Sequence, residues 1–174
     1  MKSTVQNATS IREEVPIATK VNGQPLETSV PAHLLLSDFL RDTLGLTGTK
    51  IGCETGQCGA CTILLDGVSV KSCTVLAAQI DGSEVVTIEG LAPAGSMTDL
   101  QNALWEQHGV QCGYCTPALV LSLTDFLRRN PSPAEAEIRR WMDGTLCRCG
   151  VYQNAVRAVL SLAKSADLSK QRGG

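Results

Sequence analysis

Eight cysteines, divided evenly along 174 residues, constrain this chain more than any other feature. Cys53, Cys58, Cys61 and Cys73 lie in the first half, and Cys112, Cys115, Cys147 and Cys149 in the second. A chain of this size in a reducing compartment has no use for a full set of disulfides, so metal binding is the first reading. The densest stretch, IGCETGQCGAC at residues 51–61, spaces three cysteines as C-x4-C-x2-C and interleaves Gly52, Gly56 and Gly59. Three thiols on so pliable a backbone read as ligands awaiting a fourth.

The remaining composition bounds the class of protein. With 43% apolar residues the chain can bury a core, and its length fits one large domain or two small ones. A net charge of -2 without a long basic run argues against nucleic acid or an anionic membrane as the main partner. The first 16 residues, MKSTVQNATSIREEVP, lack the apolar centre of a secretory signal and read as a flexible tail. Apolar runs such as ALVLSL at 118–123 are too short to span a bilayer. A soluble, cytoplasmic protein without membrane insertion is expected.

The pattern changes once along the chain. Residues 15–30 carry β-branched residues on both sides of Asn22-Gly23, a hairpin signal. Leu35, Leu36, Phe39, Leu40 and Leu44 recur at helical spacing and predict an amphipathic helix ending near Gly45. TILLDGVSVKSC predicts a second hairpin about Asp66-Gly67, and SEVVTIEG another strand. GLAPAGSM at 90–97 has linker composition, and helices dominate after it. Thr98 caps a helix to about His108, and Pro117 opens another at its first position. Ser132-Pro133-Ala134-Glu135 predicts a capping box for a third helix, burying Ile138, Trp141 and Met142 and stopping at Gly144. A fourth follows Gly150, with Tyr152, Ala155, Val156, Val159 and Leu160 on one side. The expected layout is a tail at 1–16, domains at 17–92 and 93–166, and a tail at 167–174.

The two cysteine sets differ in how much their spacing says. C-x4-C-x2-C with a distant fourth is the plant-type 2Fe-2S pattern, which Cys53, Cys58 and Cys61 match and Cys73 can complete. Gly52, Gly56 and Gly59 would let the loop wrap a cluster and expose its amides to the sulfurs. Zinc also takes four cysteines, but usually from paired C-x2-C knuckles. The second set, QCGYC at 111–115 with CRC at 147–149, suits zinc or a cluster equally on spacing alone. Each of its pairs precedes a predicted helix, whose N-terminal amides favour anionic thiolates of either kind. A thioredoxin-like redox pair at Cys112 and Cys115 lacks the βαβ surroundings it requires.

Both sets together, with SC at 72–73, TIEG at 87–90, QCGYCTP at 111–117 and LCRCG at 146–150, closely resemble the iron-sulfur subunit of the molybdenum hydroxylases, a family that includes xanthine dehydrogenase, aldehyde oxidoreductase and aerobic carbon monoxide dehydrogenase. The resemblance covers residues 17–165 and departs locally at CRCGVY, where several members have CRCTGY. It implies an α+β chain: an N-terminal β-grasp, plant-type ferredoxin-like domain followed by a C-terminal four-helix-bundle domain, with one 2Fe-2S cluster in each. It further implies a large molybdopterin-binding subunit, with the pterin in its cytosine dinucleotide form, and a medium FAD-binding subunit, assembled as a dimer of heterotrimers. In that family the pterin contacts the glutamine before the first cysteine of the helical domain and the last cysteine of the CRC pair. Those positions here are Gln111 and Cys149.

No nucleophile with a base, phosphate-binding Gly-rich loop or GxGxxG after a strand is visible, so the chain is expected to carry electrons for chemistry done elsewhere. By resemblance, they pass from the molybdenum centre through two clusters to a flavin subunit or another acceptor. The sequence continues for 25 residues after Cys149, so the flavin and molybdenum centres are expected on separate polypeptides. The ferredoxin-like cysteine set is expected to be the more exposed. Two competing classes are a freestanding ferredoxin and a zinc-stabilised interaction module. His33 and His108 are not placed to complete a full cysteine set. Trp105 and Trp141 are expected in core or subunit contact, Arg128 and Arg129 at a helix end, and Arg148 between two ligands could tune a cluster or pair with a surface charge.

Overall fold

A computed structural model describes the backbone of residues 14–172 and side chains as far as residue 162. Its first half is a mixed sheet. Strands β1 (Glu14–Val21) and β2 (Gln24–Pro31) form the hairpin expected about Asn22-Gly23, where both turn residues take positive φ, 53° and 75°. Strand β1 therefore begins inside the segment read as a tail, of which residues 1–13 lie outside the described residues. Strands β3 (Thr62–Leu65) and β4 (Val68–Lys71) make the second hairpin, and β5 (Glu84–Val86) lies between the two. The order is β2-β1-β5-β3-β4, with β1 and β5 parallel and the other pairs antiparallel.

Helix α1 (Leu36–Asp38) is extended by a π-helical turn at Phe39–Thr43 rather than running as one regular helix to Gly45. Leu36, Phe39 and Leu40 nonetheless bury completely against Ile17, Val30, Ile63, Ile80 and Val85. The TIEG segment ties this half together. Glu89 accepts from the Gly48 amide at 2.7 Å and from the Thr87 hydroxyl at 2.6 Å, while Asn22 accepts from the Thr87 amide at 2.8 Å. The backbone approaching the cysteine loop is thereby fastened to the first hairpin.

Four helices make up the second half. Helix α2 (Asp99–Glu106) is capped by Thr98, whose hydroxyl accepts from the Gln101 amide while Gln101 accepts from the Thr98 amide. It ends two residues before His108, which takes φ 53°. Helix α3 (Thr116–Arg129) starts with Pro117 in its first turn. Helix α4 (Glu135–Met142) starts later than the Ser132 capping box predicts, because Glu137 takes the Ala134 amide at 2.7 Å and makes Ala134 the cap. Helix α5 (Tyr152–Arg172) continues through residues read as a tail. Leu104, Leu123, Phe126, Ile138, Met142, Ala155, Val156 and Val159 form their core. Trp141 stacks on Phe126 with ring centroids 5.0 Å apart, whereas Trp105, expected in core or subunit contact, is 71% exposed and so outside the core.

The halves meet along α3, which packs on β3. Asp125, fully buried on α3, accepts from the Ser69 amide and hydroxyl, both at 2.8 Å, and from Arg129 at 2.8 and 2.5 Å. Arg128 reaches from the same helix to the Gly67 carbonyl in the hairpin turn. Burial alone would push the Asp125 carboxyl up, but the Ser69 and Arg129 hydrogen bonds outweigh it and hold the group below the ordinary carboxylate value. No helix among the described residues is long and apolar enough to cross a membrane.

Candidate metal centres

All eight cysteines are free thiols. The first set is built almost entirely by one loop. Cys53 accepts from the Thr55 and Cys58 amides at 3.4 and 3.3 Å, and Cys58 accepts from the Ala60 amide at 3.5 Å. The Thr55 side chain first, then the Cys58 and Thr55 amides, pull the Cys53 thiol down to about 6, so this loop favours an anionic sulfur. Gly56 and Gly59 take φ 74° and 71°, as the reading of the loop requires, and a Cβ on Gly52 would lie 3.0 Å from the Cys58 sulfur. Glu54 also takes positive φ, 56°, which its residue type gave no reason to expect.

Cys61 and Cys73 complete this region from the hairpin. Ser72 donates its amide and hydroxyl to the Cys61 carbonyl at 3.2 and 2.8 Å, which seats the two buried thiols side by side. Burial first, then the adjoining Cys73 thiol, pushes Cys61 up to about 11 against a hydrogen bond from the Cys73 amide. Two such thiols ionise together only when a cation compensates them.

The second set is assembled from α3 and the turn between α4 and α5. Cys115 sits at the start of α3, and burial, then the Cys147 and Cys112 thiols, push it up to about 12. Burial opposes ionisation of Cys147 as well, but the Val151 amide, the Cys115 thiol and the Cys149 and Gly150 amides outweigh it and lower the group. The Cys112 amide favours the Cys149 thiolate, yet the Cys112 side chain, burial and the Cys112 and Cys147 charges together raise it. All four thiols of this set therefore act on one another. Cys112 is the most open of the eight, and Gln111, Leu146 and Arg148 beside the set are exposed too. In the chain by itself each set has two cysteines that reach the surface, Cys53 and Cys58 half-buried in the first and Cys112 exposed with Cys149 half-buried in the second.

Within the described residues no three Cys, His, Asp or Glu side chains converge tightly enough to hold a single ion. Four cysteines in each set are the donor number that a 2Fe-2S centre takes, and four cysteines also satisfy a tetrahedral zinc. His33 and His108 are both exposed.

The two sets also touch each other. The Leu146 amide donates to the Cys58 carbonyl at 2.8 Å, joining the residue before Cys147 to a cysteine of the first set. Gly59 makes this approach possible, because a Cβ there would lie 2.1 Å from the Gly144 carbonyl oxygen. Tyr114, between Cys112 and Cys115, donates its hydroxyl to the Ile51 carbonyl at 2.7 Å. Tyr152 accepts from the Cys147 amide at 2.7 Å. Sequence reasoning missed Tyr114, Leu146 and the Tyr152 hydroxyl. Its one available signal was that both tyrosines of the chain lie within three residues of a cysteine.

Two family models divide the chain between them. One described as a 2Fe-2S iron-sulfur cluster binding domain matches residues 19–88, and one described as a 2Fe-2S binding domain matches residues 87–160. Caffeine dehydrogenase subunit gamma of Pseudomonas sp. strain CBB1 is 45% identical across 88% of this chain and 94% of its own length. Nicotine 6-hydroxylase small subunit of Paenarthrobacter nicotinovorans is 47% identical across 85% of this chain and 89% of its own. Among solved structures, quinoline 2-oxidoreductase from Pseudomonas putida 86 matches with a TM-score of 0.80 and 39% identity, covering 87% of this chain and 97% of that one. Aldehyde oxidoreductase from Desulfovibrio gigas matches with a TM-score of 0.83 and 38% identity, over 89% of this chain but 17% of that one.

Proposed function

This chain belongs to the iron-sulfur subunits of the molybdenum hydroxylase family, and from that premise we propose that it relays electrons from a molybdopterin centre on a large partner subunit, through two 2Fe-2S centres, to a medium FAD subunit or another acceptor in the cytoplasm. Cys53, Cys58, Cys61 and Cys73 hold one centre in a β-grasp ferredoxin-like domain, and Cys112, Cys115, Cys147 and Cys149 hold the other in a four-helix domain. A 2Fe-2S cluster bound there supplies one-electron storage. The chain's own contribution is to present thiolates, screen their charge with amides and keep the two sets in contact.

The observation that carries this reading is that two 2Fe-2S domain models match residues 19–88 and 87–160, each enclosing one four-cysteine set, while the Leu146 amide bonded to the Cys58 carbonyl keeps the sets in contact. Exposure beside the second set leaves room there for a partner. Gln111 stands exposed beside exposed Cys112 and half-buried Cys149, where an amide with two donors and an acceptor can pair with a polar heterocycle. On the family resemblance we propose that the pterin contacts Gln111 and Cys149, that it is in its cytosine dinucleotide form, and that the assembly is a dimer of heterotrimers.

Iron and acid-labile sulfide analysis of the native complex, with electron paramagnetic resonance of the reduced protein, tests the proposal. About four irons and four sulfides per chain and two distinct signals are expected. Stoichiometric zinc, or a single signal, would sink it. Gln111→Ala should weaken cofactor retention or slow reduction of the second centre by substrate with iron content intact. Wild-type behaviour in both respects would remove the pterin assignment.

A further inference from the structure

The peptide group that joins the two cysteine sets is held from both ends. Leu146 donates the N–H of the Thr145–Leu146 peptide to the Cys58 carbonyl at 2.8 Å, and Tyr152 donates its hydroxyl to the Thr145 carbonyl of that same peptide at 3.3 Å. A trans peptide is planar with its C=O and N–H pointing in opposite directions, so the Tyr152 hydroxyl and the Cys58 carbonyl pull on opposite ends of one rigid unit. Hydrogen bonds in such a chain polarise one another. The same phenol oxygen accepts from the Cys147 amide at 2.7 Å, so it also holds the next peptide along. Among the described residues, Tyr152 is the side chain that hydrogen-bonds both of these peptides. The Leu146 side chain is 65% exposed and offers no packing, and the neighbouring backbone bonds, Thr145 to Met142 and Gly150 to Cys147, fix only the ends of the turn.

We propose that Tyr152 is the positioning residue for the contact between the two cysteine sets: its hydroxyl orients and polarises the Thr145–Leu146 peptide and so governs the coupling between them. That electrons use this coupling rests on the proposed function, whereas the hydrogen-bonded arrangement does not. Tyr152 packs against the helical core that holds Cys115 and Cys147, and its hydroxyl bonds the Cys147 amide and the Thr145 carbonyl. Its part is to aim a backbone group that another residue uses.

Tyr152→Phe in the assembled complex keeps the ring and removes the hydroxyl. Deuterium exchange at the Leu146 and Cys147 amides should then speed up roughly fivefold, the factor that one hydrogen bond's net worth carries. Electron transfer between the two centres, followed after photoreduction of one of them, should slow while iron content and both resonance signals persist. Gly59→Ala approaches the same peptide from the other side by pressing on Gly144, and should slow the transfer with Tyr152 intact. The double variant should be no slower than the worse single one, because both act on one contact. Unchanged exchange and an unchanged rate in Tyr152→Phe would overturn the proposal. So would iron lost from the second set in Tyr152→Phe alongside wild-type transfer in Gly59→Ala, which would place Tyr152 in cluster retention instead. Failure of the broader functional reading has a different appearance, a centre missing from the wild-type protein.

Discussion

The two cysteine sets hold the same number of thiols by opposite means. The first is a local object: three cysteines share one loop whose own amides serve the sulfurs, and the fourth is brought in by the adjoining hairpin. The second is a product of tertiary packing, since Cys112 and Cys115 lead into α3 while Cys147 and Cys149 lie on a turn that only the α4 and α5 core puts opposite them. The first set is half-buried at Cys53 and Cys58, and the second is exposed at Cys112. A locally built site tolerates damage elsewhere, whereas a site built by packing fails with its core.

Breaking the helical core gives the largest expected effect. Ile138 is fully buried on α4, and Ile138→Ala should cost about 2–5 kcal/mol through lost transfer energy and an unfilled cavity. Iron analysis should show the second centre depleted while the resonance signal of the first survives. Parallel loss of both signals would mean that the halves melt as one unit and that the contrast between them has no energetic content.

The seam between the halves ranks next. Asp125→Ala strands the Ser69 amide and hydroxyl without their acceptor and should destabilise the chain by about 2–4 kcal/mol in urea unfolding. The pH dependence has a definite sign. Asp125 titrates lower in the folded chain than its ordinary value, so its contribution is complete above the unfolded carboxylate value of about 4 and fades as pH falls through the folded one. The stability gap between wild type and Asp125→Ala should hold from pH 8 to pH 5 and narrow below about pH 4. A gap that widens in acid would assign the stabilisation to groups other than this carboxylate.

The same contrast explains what could be read from the sequence. Asn22-Gly23, the Thr98–Gln101 box, Pro117 at the start of α3 and the glycines of the first loop are chain neighbours of the groups they serve, so their chemistry is visible in the letters. Leu146 serves Cys58, Tyr114 serves Ile51 and Asp125 serves Ser69, and each of those partners is supplied by folding. Spacing therefore identified the first set as a 2Fe-2S pattern but left the second open between zinc and a cluster until both were considered together. Two local readings failed where a neighbour competed. Glu137 took the cap of α4 from Ser132 by reaching the Ala134 amide, and a π-helical turn interrupted the regular spacing around Phe39.

The smallest effect tests whether the sets are joined by one link or two. Tyr114 crosses from the second cysteine loop to the Ile51 carbonyl, a bond parallel to that between Leu146 and Cys58, but its side is open, with the residue 49% exposed. Water can replace the carbonyl's lost donor there, so Tyr114→Phe should cost no more than about 0.5–1 kcal/mol. The ring remains, and so does the Leu146 bond, which keeps the two loops within reach of each other. Deuterium exchange at Leu146 and Cys147 should consequently stay near the wild-type rate in Tyr114→Phe, in contrast to Tyr152→Phe. If exchange at those amides rises as much in Tyr114→Phe as in Tyr152→Phe, the two tyrosines share the joint, and the open rim of the second set is as much a part of it as the buried turn.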